Sequence, residues 1–468
     1  MAERPFDMAA VYAWIDAHAD ECIADLQELV RQPSVSAQGI GLEDCADLVL
    51  AQMHRDRLDA ALHPLDGGPP VVFGHMTTPR SNKTMLCYSH YDVQPPEPLE
   101  AWSHGGPWSA TIVDGVMYGR GTTDNKSGVL AFNKAAKAFL ATHGELPVNL
   151  KFIIEGEEEI GSLHLGPWVA RNPELLAADG MHCLDGSVET ATELPEVQLG
   201  LKSVLFVELV ARGANADIHS LNFPLVPTPA WDLVRALNTI LDADRRVLID
   251  GWYEGIYELQ EEDEAQLREK AERVDLGALK RSWGIDAFAL GRDGVDAHRA
   301  RQYEPTANIA GLVSGYTGPG SKTIVPNEAR AKMDFRLIPH MSPEAALAKL
   351  RAHLDAHGFE HIEILSEERA EPPYKISVKE SMAQAVIAAA TEVWGEVPIV
   401  DGVSAEGTIL KHVWIPCVLT GFANPGANLH APNENIRVAD YIKGIKYAAA
   451  IMHHFAQQGD DHDAATAQ

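Results

Sequence analysis

Apolar side chains between Ala9 and Val30 (Val11, Trp14, Ile15, Ala19, Cys22, Leu26, Leu29) recur mostly at three- and four-residue steps, which predicts an amphipathic helix. Short unbroken apolar runs then alternate with helical patterns. Thr84–Ser89 and Val148–Ile154 predict buried strands, with a helix from Ser127 to Thr142 between them. Strand, helix, strand predicts an α/β layer whose sheet is mostly parallel and flanked by helices. From Leu201 the pattern changes. Leu201–Arg212 and Ala331–Ile338 alternate like half-buried strands, while Thr228-Pro229 and Ser342-Pro343-Glu344 read as helix starts, the second helix running to His357-Gly358. Buried-strand character returns at Trp414–Leu419, and a last helix spans Asp440 to His454. An α+β unit over residues 201–375 is therefore expected to interrupt an α/β unit made of residues 1–200 and 376–468.

The chain has 468 residues, and at roughly 150 residues per domain two or three domains are expected. Its 46% hydrophobic and 22% charged residues suffice for a sizeable core. Against 67 Asp and Glu stand only 38 Lys and Arg, a net charge of −29 without a basic cluster, which excludes nucleic acid and anionic membranes as natural partners. The five cysteines are scattered and form no C-x-x-C, which suits a reducing cytoplasm better than a disulfide framework. The N-terminus has no apolar signal-like run. Val413–Ala423 is cut by Pro416 and Gly421, far short of the ~20 residues of a membrane span. A soluble, unprocessed protein with a frayed polar tail from Gly459 is expected.

Four segments place acids and histidines beside apolar runs. In Ser89-His90-Tyr91-Asp92-Val93, His90 and Asp92 share a face of an extended chain, so a carboxylate can hold the ring nitrogen opposite a metal. Gly119-Arg120-Gly121-Thr122-Thr123-Asp124 is a glycine-rich turn leading into a helix. Glu155-Gly156-Glu157-Glu158-Glu159 follows a strand, and successive acids there cannot all bury as anions without a strong positive partner such as a metal. Asp185 ends the run Met181–Leu184, and His430 lies far down the chain in Asn428–Glu434. All of these can lie on the carboxyl edge of one sheet, where open α/β folds place their sites. Singly, each has an ordinary explanation: a His-x-Asp core pair, or a solvated helix start rich in acids. Gly121–Ser127 imitates a phosphate loop, but Asn125 replaces the needed glycine before Lys126-Ser127. There is no G-x-S-x-G elbow. His104, His164, His182 and the pair His453-His454 read as surface or packing residues.

In this order and spacing the segments resemble the dinuclear metallopeptidases of the M20 clan, which include carnosine-type dipeptidases, glutamate carboxypeptidases, acetylornithine deacetylases and succinyl-diaminopimelate desuccinylases. The resemblance extends from Leu29–Ser36 to the last helix and includes the spacer Trp102, Pro107-Trp108, Asp114-Gly115 and Tyr118-Gly119. It implies that Asp124 bridges two divalent ions, with His90 and Asp185 on one and Glu159 and His430 on the other. It makes Glu158 the general base and Asp92 the residue orienting His90. It further implies that His219, in Asp217-Ile218-His219-Ser220, stabilises the oxyanion from the opposite subunit of a homodimer, and that Thr323 and Arg336 bind the substrate's carboxylate end. Thr408 is a further substrate contact, in a segment where the dipeptidases carry Arg-Glu-Gly-Gly-Ser-Ile-Pro and this chain has Ser404–Leu410 without the arginine. With only N and O ligands, Zn²⁺ is the first choice and Mn²⁺ or Co²⁺ fits the same set.

The expected protein is thus a cytoplasmic metal-dependent amide hydrolase acting on a dipeptide or short peptide, its catalytic domain interrupted by a lid and dimerisation domain. An N-acyl amino acid deacylase or carbamoylase would use the same centre. A non-catalytic binding protein on this scaffold is the third reading, opposed by the presence of both Asp124 and Glu158.

Overall fold

Where one long N-terminal helix is expected, the computed structural model, which describes residues 5–366, 372–405 and 415–459, has two: Met8–Ala17 and Ala19–Arg31. His18 causes the break. Its ring stacks on Trp14 at 4.0 Å and its Nδ1 lies 2.8 Å from the Trp14 carbonyl, holding φ and ψ at −113° and 19°, outside the helix. Both helices still bury the expected stripe, Val11, Ile15, Cys22, Leu26 and Leu29.

The main sheet has eight strands, in the order Ala60–His63, Val71–Met76, Asn149–Glu155, Thr84–His90, Gly180–Ser187, Cys417–Ala423, Glu196–Gln198, Ile399–Asp401. Its centre is parallel: Thr84–His90 pairs in parallel with both Asn149–Glu155 and Gly180–Ser187, and Gly180–Ser187 with Cys417–Ala423. Val71–Met76 and Glu196–Gln198 run antiparallel to their inner neighbours, so the sheet is mixed toward its edges. Met85, Leu86, Cys87 and Tyr88 are all buried, as befits a strand covered on both faces. Helices Lys126–His143, Ser381–Trp394 and Val438–Gln457 join one core cluster, and Leu165, Trp168 and Val169 belong to another. Because the central strands are parallel, His90, Glu155 and Asp185 all emerge at one edge.

A second, antiparallel sheet has the order Thr306–Ser314, Glu328–Leu337, Gly200–Arg212, Glu363–Ser366. Alternation in Glu328–Leu337 buries Ala329, Ala331, Met333, Phe335 and Leu337 against helices Pro229–Ile240 and Pro343–Ala356. Ser342 accepts the Ala345 N–H at 3.2 Å and caps its helix. Thr228 holds the corresponding position before Pro229 but makes no side-chain cap bond. Strand Gly200–Arg212 follows the main sheet's Glu196–Gln198 directly in the chain, and at this junction its first residues pair with Tyr374-Lys375 and Ser404-Ala405. A buried ionic cluster reinforces that junction: Lys270 lies 2.6 Å from both Asp401 oxygens, Gln302 donates to Asp401 at 2.8 Å, and Lys375 pairs with Asp263 at 2.9 Å. The expected tail from Gly459 and the start of the expected Trp414–Leu419 strand fall largely outside the described residues.

Candidate metal centre

His90 ends its strand with no exposed surface. Its Nδ1 lies 3.3 Å from Asp92 Oδ1 and 3.1 Å from the Asp92 carbonyl, and its Nε2 lies 3.2 Å from Asp124 Oδ1 and 3.3 Å from Asp185 Oδ2. Asp92 is buried too, and its two oxygens accept the Glu158 and Glu159 N–H groups at 3.2 and 3.1 Å. One carboxylate therefore faces the imidazole and also anchors the 3-10 turn Glu158–Ile160 that follows strand Asn149–Glu155.

On the other side, Asp124 Oδ2 lies 3.0 Å and Glu159 Oε2 3.3 Å from His430 Nε2. The donors thus form two triads, His90/Asp124/Asp185 and Asp124/Glu159/His430, which share Asp124; within each, the ligand atoms lie within 4.8 Å of one another. A third acidic group, Glu21/Asp25/Asp56, is already neutralised by Lys134, Lys137 and Arg55. No Lys or Arg pairs with Asp124, Glu159 or Asp185 among the described residues.

Several supporting residues carried no pattern in the sequence. Glu434, wholly buried, accepts from Gly121 N–H at 3.0 Å, Thr123 N–H at 3.0 Å, Asp124 N–H at 3.1 Å and Arg120 Nη1 at 2.7 Å, so it fastens the turn that presents Asp124. Its proximity to His430 was the available signal. Gln94, two residues beyond Asp92, donates from its backbone to Glu159 Oε1 at 3.1 Å and from its side chain to Oε2 at 2.9 Å. Glu155 accepts from Tyr88 Oη at 2.5 Å and Ser162 Oγ at 2.8 Å. Beside it a Cβ on Gly156 would sit 2.4 Å from the Tyr91 hydroxyl, so only glycine fits.

Charge is concentrated here. Burial pushes the Glu158 carboxyl well above the usual range, and pushes Asp185 up to about 6. For Asp124 burial works the same way, but hydrogen bonds to His430 and His90 outweigh it and hold the carboxyl below the usual range. Hydrogen bonds to Asp124 and Glu159 raise His430 to about 10, and at His90 the surrounding carboxylates overcome burial and raise it as well.

Other candidates lie apart. His219 is exposed on the two-residue strand paired with Ile324-Val325, and its Nδ1 accepts the Leu221 N–H at 3.1 Å. Thr323 precedes that pairing and is exposed, and Arg336 is half-buried on Glu328–Leu337 opposite Val204. None of the three belongs to either triad. Thr408 lies outside the described residues. Lys126 turns inward, donating to the Leu29 and Gln32 carbonyls at 3.0 and 2.6 Å, so the likeness to a phosphate loop ends there. His104 stacks on Tyr118 at 3.9 Å, His164 pairs with Glu157 at 2.9 Å, His454 reaches Glu392 at 2.8 Å, and His182 is wholly buried.

The donor set fits divalent cations: imidazole and carboxylate ligands converge, the buried His90 Nε2 faces two carboxylates, and no lysine or arginine pairs with the acids among the described residues. Fold and site together define a metal-dependent hydrolase of the α/β class. The profile of peptidase family M20/M25/M40 matches residues 86–454, and the chain belongs to that family. It is 28% identical over 483 aligned residues to the human Beta-Ala-His dipeptidase, covering 97% of this chain and 94% of that protein. It is also 28% identical to the Cys-Gly metallodipeptidase of Schizosaccharomyces pombe, with 95% and 98% coverage. Among solved structures, the M20 family metallo-carboxypeptidase from Sulfolobus solfataricus superposes with a TM-score of 0.85 at 36% identity, over 94% of this chain and 100% of that one.

Proposed function

We propose that the protein hydrolyses the amide bond of dipeptides or short peptides. The observation that carries this is the pair of triads sharing Asp124, with Glu158 on the same turn as Glu159. His90 and Asp185 would hold one divalent ion, Glu159 and His430 a second, and Asp124 both; Zn²⁺ suits the donors best, with Mn²⁺ or Co²⁺ compatible. Bound ions of this kind polarise a carbonyl and lower the pKa of a water. The Glu158 carboxylate takes the proton of the attacking water as the C–O bond forms and delivers it to the amine nitrogen as the C–N bond breaks. Asp92, fixed by the Glu158 and Glu159 N–H groups, orients His90.

Residues 1–200 and 376–468 serve as the catalytic domain, and residues 201–375 as lid and dimerisation domain. Arg336, with a planar fork suited to carboxylates, binds the substrate's C-terminal carboxylate with help from Thr323 and Thr408. Both a dipeptidase and a carboxypeptidase act beside such a group, in keeping with the names of the relatives. A homodimer places His219 in the partner's site to stabilise the oxyanion. Its support is that His219 is exposed and apart from its own triads, while Trp231, Val234, Leu312 and Val313 are exposed apolar side chains on the same inserted unit. Five free, buried cysteines suit a cytoplasmic enzyme, and no described helix is long and apolar enough to cross a membrane.

The test is a panel of dipeptides, tripeptides and N-acyl amino acids on metal-analysed wild type and Glu158→Ala. Glu158→Ala should retain its metal and lose roughly 10²–10⁴-fold in kcat. Undiminished turnover would remove the base assignment, and cleavage of N-acyl amino acids alone would transfer the protein to the deacylases.

A further inference from the structure

Away from the residues of the two triads, helices Leu276–Trp283 and Gly294–Tyr303 and the start of edge strand Thr306–Ser314 border an open cavity of about 690 Å³. Its walls are apolar and partly aromatic, formed by Leu276, Leu279, Trp283, Phe288, Leu290 and Ile309, with the Trp283 and Phe288 rings edge to face at 6.1 Å. Polar groups enter as well. His298 lines the cavity, is 1% exposed, and its Nε2 has no hydrogen-bond partner among the described residues. Arg301 follows one turn later on the same helical face and lines the cavity as well. Neither Arg301 nor the lining Arg245 has an acidic partner at ion-pair distance among the described residues. Glu304, the one acid lining the cavity among the described residues, is already held by Arg292 at 2.7 Å.

We propose that this cavity is a second ligand site, separate from the metal centre, for a small organic carboxylate with an aromatic or branched apolar body and no amine. Its volume lies within the roughly 300–1,000 Å³ of small-molecule sites, and apolar walls with a few polar groups are their usual lining. Two guanidiniums without an ion-pair partner among the described residues favour an anion, which the Arg301 fork can pair with bidentately. Burial pushes His298 down to about 4, so the ring is neutral near pH 7 and offers a nitrogen to a polar atom on the ligand's body. An α-ammonium finds no free acid there, because Glu304 is committed to Arg292. The site therefore disfavours the free amino acids that peptide hydrolysis releases.

The probe is indole-3-propionate, titrated calorimetrically into the metal-loaded enzyme beside tryptophan and indole-3-propanol. The acid should bind at least roughly tenfold more tightly than either analogue. Arg301→Gln, an exposed position, should weaken the acid about tenfold and leave the alcohol unchanged. Ala297→Trp, which fills the cavity, should abolish binding, and both variants should keep the unliganded peptidase rate and the sedimentation behaviour of wild type. Absence of binding at millimolar probe, equal affinity in both variants, or displacement of the probe by a dipeptide substrate would overturn the proposal. So would a change of oligomeric state in either variant, which would assign the cavity to a second copy of the chain.

Discussion

Replacing Glu434 by glutamine tests how Asp124, the aspartate shared by the two triads, is held. Four donors converge on this carboxylate: Gly121 N–H and Arg120 Nη1 on Oε2, Thr123 and Asp124 N–H on Oε1. A carboxamide has the same shape but turns one oxygen into a donor, so whichever way it lies, two of the four face an NH₂ group. An unsatisfied buried donor costs about 1–3 kcal/mol. Arg120, 1% exposed, also loses the countercharge of a buried pair, a change that costs about 3–5 kcal/mol when one partner is removed. The contributions overlap, because Arg120 is one of the four donors, so a total loss of roughly 3–5 kcal/mol is expected. The local effect falls on Asp124, whose own N–H is among those released, and the expected fall in metal affinity is about 10–100-fold, as for other groups supporting metal ligands. Urea unfolding measures the first quantity, and metal retained in graded chelator buffers the second. A Glu434→Gln enzyme that binds metal as tightly as wild type and unfolds within about 1 kcal/mol of it would show that the turn stands without this clamp.

Stripping the metal should lower the unfolding free energy read from urea titrations by about 4 kcal/mol relative to enzyme with free metal a thousandfold above Kd, and re-addition should restore it; an unchanged value would remove metal from the fold's stability. His182, wholly buried with neither ring nitrogen bonded, has its pKa pushed down to about 3 by burial. The neutral ring is the folded form, so its contribution is complete above about pH 6.5 and is lost as pH falls toward 3, by roughly 2 kcal/mol between pH 7 and 5. His182→Leu should flatten that part of the stability profile, and denaturant titrations at the two pH values that keep the wild-type difference would refute it. His219→Ala should slow turnover with metal content unchanged, and mixed dimers with Glu158→Ala chains should regain part of the rate; hybrids no faster than either parent would oppose action across subunits.

What the sequence revealed and what it hid divide along physical lines. Ligand donors are acids and imidazoles next to apolar runs, a combination visible without a structure, and the parallel strands bring His90, Asp185 and the Glu158–Ile160 turn to one edge. Groups that hold backbone leave no such trace. Glu434 and Gln94 work by accepting or donating to peptide groups of a distant turn, and no periodicity marks that. Strand direction is equally silent: Val71–Met76 is as apolar as its parallel neighbours, yet it runs antiparallel, because hydropathy records burial and not pairing sense. The break at His18 depends on one ring stacking on Trp14, a contact that the stripe of apolar positions running straight through it does not encode.

The chain solves the problem of crowded acids in two ways, and the contrast shows what the metal centre is for. At Asp25 and Asp56 the countercharge is built in, Lys134 reaching both carboxylates and Lys137 adding a second cation to Asp56. Those acids brace helices and have no vacant coordination position to offer. Around Asp124 the chain supplies acids and imidazoles but, among the described residues, no lysine or arginine. Asp124 offers an oxygen within 4.8 Å of both Asp185 and Glu159, and carboxylates about 4 Å apart repel by roughly 4 kcal/mol per pair at an effective dielectric near 20, a cost that folding alone has no reason to retain. Lysine at any of these positions would relieve it. A dication relieves it and can also take a substrate oxygen, so the absence of lysine there among the described residues is as informative about catalysis as the ligands that are present.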